Sequence, residues 1–295
     1  MIVVNNMLHR YDADPVLRDV NIVIKDNSLV GLVGINGAGK STFLRIISGI
    51  FKPTEGTVCI DGKNVIDKNA RQGLFLLPDE PYYTPTSTIN SLIKLYKTFY
   101  PGFDYEICQR VVEIYGLNPK GKIKNFSKGM RRQAFIALAF GISPKYLFLD
   151  EAFDGLDPLA RKHFKDLLEE LRKKHEMTVI VSSHSMLELD DFCTEFLMID
   201  GNKISYLDEN SRSQQSISKY QLVFDVVPNK EAFAGAGLEI LNYKAVGHVV
   251  TITVNGNGSG VSDRIDTLGP IYKDAINVNF EDRFISEVNN KEVYL

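Results

Sequence analysis

The stretch Gly34-Ile35-Asn36-Gly37-Ala38-Gly39-Lys40-Ser41 constrains this chain more than any other part of it. It follows an apolar run, Ser28 to Val33, and leads into Thr42 to Ser48, whose apolar residues recur at helical spacing. Strand, Gly-rich loop and helix, in that order, form the setting of a phosphate-binding loop. Backbone N–H groups can turn inward around phosphate oxygens where glycine leaves φ unrestricted and no side chain intervenes. A helix starting near Lys40 adds unpaired N–H groups and the positive end of its dipole, about half an elementary charge. Lys40 is then expected to reach the β- and γ-phosphates, and the Ser41 hydroxyl to ligate Mg²⁺. Nucleotide binding is the reading.

With 295 residues there is room for one large α/β domain and a smaller one. The formal net charge of −3 gives no global basic field toward nucleic acid or anionic lipid, so no nucleic-acid partner is expected. The start, Met-Ile-Val-Val-Asn-Asn, reads as a strand and not as a signal peptide. The longest apolar stretch, Ala134 to Ile142, is too short to cross a bilayer and reads as a buried helix segment. Cys59, Cys108 and Cys193 lack CxxC spacing and suit inert thiols in a reducing cytosol. A cytoplasmic chain is expected.

From residue 1 to 208, strand-like and helical runs alternate, which points to an α/β fold. Tyr146-Leu147-Phe148-Leu149 is apolar throughout, as in a parallel strand buried on both faces. Asp200-Gly201-Asn202 reads as a hairpin turn. A polar Ser/Gln-rich run over 209–217 reads as a linker. Beyond it, 218–295 follows a βαββαβ order, that of a small ferredoxin-like α+β domain, with a last strand at Ile276–Phe280 and a short final helix.

A second group of residues carries chemistry. Leu147-Phe148-Leu149 ends in Asp150 and Glu151. A central strand can bring Asp150 beneath the phosphates, where a carboxylate helps hold Mg²⁺. Glu151 would face the γ-phosphate and orient or deprotonate the attacking water. Alone, the two would read as an exposed acidic pair at a strand end. Ser127 reads as the N-cap of a helix with an apolar stripe of Phe135, Leu138 and Ala139.

Together these segments resemble the nucleotide-binding subunit of an ABC (ATP-binding cassette) transporter over residues 1–208. In that resemblance Gly34–Ser41 with Thr42 is the Walker A motif, and Tyr146–Asp150 with Glu151 is Walker B. Phe126-Ser127-Lys128-Gly129-Met130 stands where the family has its signature, typically Leu-Ser-Gly-Gly-Gln. Gly155-Leu156-Asp157-Pro158 resembles the D-loop, and His184 the switch histidine that senses the γ-phosphate. Tyr11 would stack on adenine. The implied fold is a P-loop NTPase of the ABC type, with a central sheet, an antiparallel β subdomain and a helical subdomain over about 79–143.

Three positions depart from the family pattern. Asp79 fills the slot of the Q-loop glutamine, a metal contact, and an Asp can still ligate Mg²⁺. Lys128 replaces a small glycine, while Gly129 stays able to approach a phosphate opposite. Ala152-Phe153 replaces the usual Pro-Thr after Glu151. None removes a group the chemistry needs, so an active enzyme is expected.

The resemblance further implies a head-to-tail dimer, with itself or with a related ATPase subunit, in which ATP on one P-loop is closed over by Ser127 and Gly129 of the other chain. It implies a separate membrane-spanning permease and a place on the inner face of the cell membrane. Tyr100-Pro101-Gly102-Phe103-Asp104, the Ser-Lys-Gly-Met signature and the small C-terminal domain resemble a bacterial exporter subgroup, so export is expected. Rival readings fit less well. A chromosome-maintenance ATPase would carry a long coiled coil between Walker A and the signature, where this chain has Pro78, Pro81, Pro85 and Pro101. A ribosome-associated protein would carry two cassettes. A nucleotide-gated regulatory module with little ATPase activity is the alternative that Asp79 and Lys128 keep open.

Overall fold

The computed structural model describes residues 1–184, 187–190, 192–207, 217–256 and 259–278. The chain divides into two compact units, Met1–Tyr206 and Leu207–Leu295.

The first unit holds two sheets. Strands β1 (Ile2–Arg10), β2 (Pro15–Ile24), β4 (Glu55–Ile60) and β5 (Lys63–Asn64) make an antiparallel sheet in the order β2-β1-β4-β5. The second sheet runs β10 (Lys203–Tyr206), β9 (Glu195–Asp200), β3 (Leu29–Val33), β8 (Thr178–Ser182), β7 (Tyr146–Leu149) and β6 (Leu74–Leu77). All neighbours in it are parallel except the β9–β10 hairpin, whose turn is the Gly201-Asn202 pair. Every residue of β3, β7 and β8 is buried, as expected of parallel strands covered on both faces.

This topology positions the site. Strands β3, β8 and β7 are neighbours and run the same way, so their C-terminal ends share one edge of the sheet. The loops that leave there carry the Gly-rich stretch, His184, and the pair Asp150 and Glu151. Ligands of open α/β sheets bind at such an edge, beyond the carboxyl ends of the strands.

Helix α1 (Lys40–Ile47) buries Phe43, Leu44, Ile46 and Ile47 in a core shared with Leu17, Phe148 and Ile180. Helices α2 (Ile89–Phe99), α3 (Tyr105–Ile114) and α4 (Lys128–Ile142) form the helical part of the unit, with α2 and α3 packed on α4. Thr88 starts α2 with a reciprocal capping box through Ser91, and the Asp104 carboxylate caps α3. Every residue from Ala134 to Ile142 is buried, which accounts for the longest apolar stretch in the chain. Helix α5 (Pro158–His175) follows, and a short helix, α6 (Leu187–Asp190), lies between β8 and β9. Among the described residues no helix is long and apolar enough to cross a membrane.

The second unit runs β11 (Ile217–Val223), α7 (Lys230–Gly235), β12 (Ile240–Val246), β13 (Val249–Asn255), α8 (Ser259–Asp266) and β14 (Tyr272–Ile276). Its sheet order is β12-β13-β11-β14, antiparallel throughout. This is the ferredoxin-like βαββαβ arrangement. Leu222, Phe233, Ile252 and Ile265 are fully buried in its core. Two boundaries differ from the sequence reading. Ile217, placed in the linker, opens β11, while 208–216 lie outside the described residues. The last strand comes earlier than Ile276–Phe280, because Tyr272 pairs with Val223 and Ile276 with Lys219. That edge strand has no buried residue, so it lacks the apolar alternation that marks a strand in sequence. Residues 279–280 and the expected final helix lie outside the described residues.

Candidate functional site

The Gly-rich loop leaves β3 and turns into α1 through two residues with left-handed backbone, Gly37 at φ 84° and Gly39 at φ 106°. A Cβ on Gly39 would also sit 3.1 Å from Val16 Cγ1, so that side chain would have to give way, in addition to the left-handed backbone that favours glycine. The loop curls around its own lysine. Lys40 Nζ, almost fully buried, donates to the Gly34 carbonyl at 2.9 Å and lies 3.5 Å from Glu151 Oε1.

Glu151 is the centre of the site. Its φ of +48° places a side-chain-bearing residue in the left-handed region, a conformation that costs energy and persists only where the surroundings impose it. The other carboxylate oxygen, Oε2, accepts from the His184 backbone N–H at 3.1 Å and lies 3.0 Å from His184 Nδ1. Glu151 thus joins the lysine of the Gly-rich loop to the histidine that follows β8. Asp150, nearly fully buried, takes a hydrogen bond from Ser182 Oγ at 2.8 Å, and its backbone N–H donates to Leu77 at 2.9 Å.

A cleft of about 580 Å³ opens beside these groups, lined by Tyr11, Asn36, Gly37, Gly39, Lys40, Ser41, Thr42, Asp79, Glu151, Asp154 and His184. Tyr11 is held at its rim: its hydroxyl lies 3.0 Å from Thr42 Oγ1, and its ring packs edge-on to His9 and Phe51. Half of Tyr11 stays exposed, which leaves an aromatic surface for a flat base. Of the residues read from sequence for nucleotide and metal, Tyr11, Asn36, Gly37, Gly39, Lys40, Ser41, Thr42, Asp79, Glu151 and His184 line this one cleft, whereas Ala38 and Asp150 do not line it.

The signature residues do not line it. Ser127 caps α4, accepting from the Met130 N–H at 3.2 Å, and Ser127, Lys128 and Met130 are exposed. Gly129 has an additional reason to be glycine, because a Cβ there would come within 2.4 Å of the Gly155 carbonyl oxygen. Lys128 pairs with Asp154, which holds the lysine pKa above and the aspartate pKa below their ordinary values. These two residues and Asp79 also line a second cavity of about 550 Å³. Partial burial raises the Asp79 pKa, against the pull of Arg132 and Lys128. Asp157 caps α5, taking the Ala160 N–H at 2.9 Å, with Pro158 at the first helical position.

Sequence reasoning gave no role to Arg132. Its guanidinium, 4% exposed, donates to the carbonyls of Pro78 at 2.7 Å, Asp79 at 3.3 Å, Ala152 at 3.3 Å, and Asp150. One side chain of α4 thereby holds together the segment around Asp79 and the segment around Glu151. Helical spacing was the available signal, since Arg132 shares the face of Phe135, Ile136 and Ala139 and must be buried with them.

Residues 17–154 match the ABC transporter family. The chain is 24% identical over 292 residues to the ABC transporter ATP-binding protein YtrB of Bacillus subtilis, covering 99% of each chain. It is 33% identical to the energy-coupling factor transporter ATP-binding protein EcfA2 of Clostridioides difficile, over 70% of this chain and 78% of that one. A solved structure of the ATP binding subunit of an ABC transporter is 27% identical with a TM-score of 0.65, covering 72% of this chain and 92% of that chain.

Proposed function

This chain belongs to the ABC transporter family of ATP-binding proteins and is an ATPase, and we propose that two copies of it close head to tail over ATP to drive export through a separate membrane permease. The observation that carries the chemistry is the Glu151 carboxylate, set between Lys40 and His184 at the mouth of the Gly-rich loop. In this reading the loop from Asn36 to Thr42, including Ala38, cradles the phosphates, Lys40 binds the β- and γ-phosphates, and Tyr11 stacks on adenine. Glu151 orients and deprotonates the attacking water, and His184 reads the presence of the γ-phosphate.

Among the described residues no group of three or more His, Cys, Asp or Glu could hold a metal unaided. The hydroxyl and carboxylate oxygens of Ser41, Asp150 and Asp79 are hard donors that suit Mg²⁺, an ion commonly held by one or two carboxylates together with substrate phosphates. Bound there, Mg²⁺ would neutralise charge building on the phosphates.

The position of the signature supports the dimer reading. Ser127, Lys128, Gly129 and Met130 sit on an exposed helix start outside the cleft, where they can meet ATP held by another copy. Asp157, on the neighbouring loop, belongs to the same contacting surface. ATP would then supply the charge that joins the two faces, and hydrolysis would remove it.

Partner and direction rest on other features. A groove beside α2 is lined by Leu74, Phe75, Tyr96 and Tyr100 together with the exposed Ile50, Leu95 and Phe99. Such an apolar patch fits a membrane-protein partner and a place on the inner face of the membrane. Export is favoured by the resemblance of Tyr100–Asp104 and of the C-terminal unit to the exporter subgroup. The C-terminal unit is assigned dimer contact or regulation.

If two copies build each site, the ATPase rate per chain rises with protein concentration before it levels off. Steady-state phosphate release measured over a wide range of chain concentration tests this. A rate per chain that is constant throughout, in a preparation that stays monomeric, contradicts the composite site.

A further inference from the structure

We propose that Ser182 is a positioning residue for ATP hydrolysis, its hydroxyl setting the backbone turn that presents Glu151 and fixing the carboxylate of Asp150. The inference rests on the role given above to Glu151.

Ser182 is the last residue of β8 and is fully buried. Its Oγ accepts the Glu151 backbone N–H at 2.9 Å and donates to Asp150 Oδ1 at 2.8 Å. Its carbonyl oxygen accepts the Ala152 N–H at 3.4 Å. One residue on the strand that leads to His184 thus touches three consecutive residues at the end of β7. A hydroxyl serves both side-chain bonds from a single atom, because it has one hydrogen to donate and lone pairs to accept with.

The need for such a tie comes from the Glu151 backbone. With φ at +48° and a full side chain, this turn is not one the chain would choose unaided. Bonding the N–H of that same residue holds the turn where it is least favoured. The turn then sends the carboxylate toward Lys40 and His184, the contacts on which the proposed water activation depends. The second bond locks the neighbouring aspartate, so both carboxylates at the end of β7 are referred to β8. Since β8 also delivers His184, small displacements of that strand carry all three groups together and keep their spacing.

The test compares Ser182→Thr with Ser182→Val in the full chain. The two side chains have nearly the same shape and differ in the hydroxyl, and both are β-branched residues suited to a strand. Thr should keep kcat close to wild type. Val should lower kcat by about 10- to 100-fold, the range expected for one lost hydrogen bond involving a charged group. KM and the directly measured Kd for ATP should stay within about three-fold in both, a range well inside one power of ten. Amide hydrogen exchange supplies a readout that needs no turnover. Exchange over 150–154 should quicken in Val and not in Thr, while exchange over 40–47 stays the same in both. Where Val does not fold, Ser182→Ala removes the hydroxyl without adding bulk and takes its place.

Equal kcat and equal exchange in Thr and Val would overturn the proposal. So would a loss of ATP affinity in Val that matches its loss of rate, which would mark a general disturbance of the site. Failure of the underlying reading has a different signature: Glu151→Gln would retain turnover, whatever the Ser182 variants do.

Discussion

Replacing Glu151 with Gln should lower ATP turnover by about 10²- to 10⁴-fold, the range general-base catalysis contributes, while ATP still binds. The amide has nearly the same shape as the carboxylate, so the left-handed turn at φ +48° and the packing around it are kept. What disappears is a group able to take a proton from water. Binding should not suffer, for an electrostatic reason. Lys40 Nζ lies 3.5 Å from Glu151 Oε1, and a carboxylate beside the phosphate-binding lysine competes with the phosphates for it. Neutralising residue 151 removes that competition, so the ATP Kd should be equal to wild type or tighter. Steady-state phosphate release and a direct ATP titration on the same preparation check both parts. A variant that still turns over within ten-fold of wild type would remove Glu151 from the chemistry.

Replacing Arg132 with Ala should produce the largest loss of stability of any single change considered. The guanidinium serves four backbone carbonyls from a position only 4% exposed. Burial lowers its pKa, while Asp79 and Asp150 pull the other way and favour its charge. Truncation leaves those carbonyls without their donor and opens a cavity beneath α4. Losses of about 3–5 kcal/mol are typical when one partner of a buried charged interaction is removed. For a domain of this size that corresponds to a fall in Tm of roughly 6–20 °C. Arg132→Lys should recover little, because an ammonium cannot reproduce a planar fork that reaches several carbonyls at once. Differential scanning calorimetry of the three chains decides the matter, and a Tm within about 2 °C of wild type for Arg132→Ala would show that the network carries little energy.

Much of the architecture was legible in the sequence because its signals are local. The Gly-rich loop carries its own pattern, and the two glycines at positive φ stand where the pattern requires them. The apolar runs of β3, β7 and β8 announce strands buried on both faces. The alternating order beyond residue 217 gave the ferredoxin-like topology, although β14, with no buried residue, was misplaced toward the chain end. The residues that line the cleft, among them Tyr11, Lys40, Glu151 and His184, could be picked out of the sequence, but the network that ties them could not. Nothing in the string says that Arg132 reaches back to Pro78 and Asp79, or that Ser182 bonds Asp150 and Glu151. Those bonds join segments far apart in the chain, and only the sheet order brings them together.

The structure also gives some motif residues a second physical duty. Gly129 avoids the Gly155 carbonyl, Asp157 caps α5, and Lys128 finds its counter-ion in Asp154 within the same chain. Lys128 therefore adds less free positive charge to the signature than the sequence suggests, and Asp154 accounts for it.

The central claim is that ATP joins two copies of this chain, and the mass of full-length Glu151→Gln in solution tests it most directly. Light scattering with saturating Mg²⁺ and ATP should give close to twice the chain mass of 33.2 kDa, and with ADP the single-chain mass. A single-chain mass with ATP shown to be bound would contradict the account.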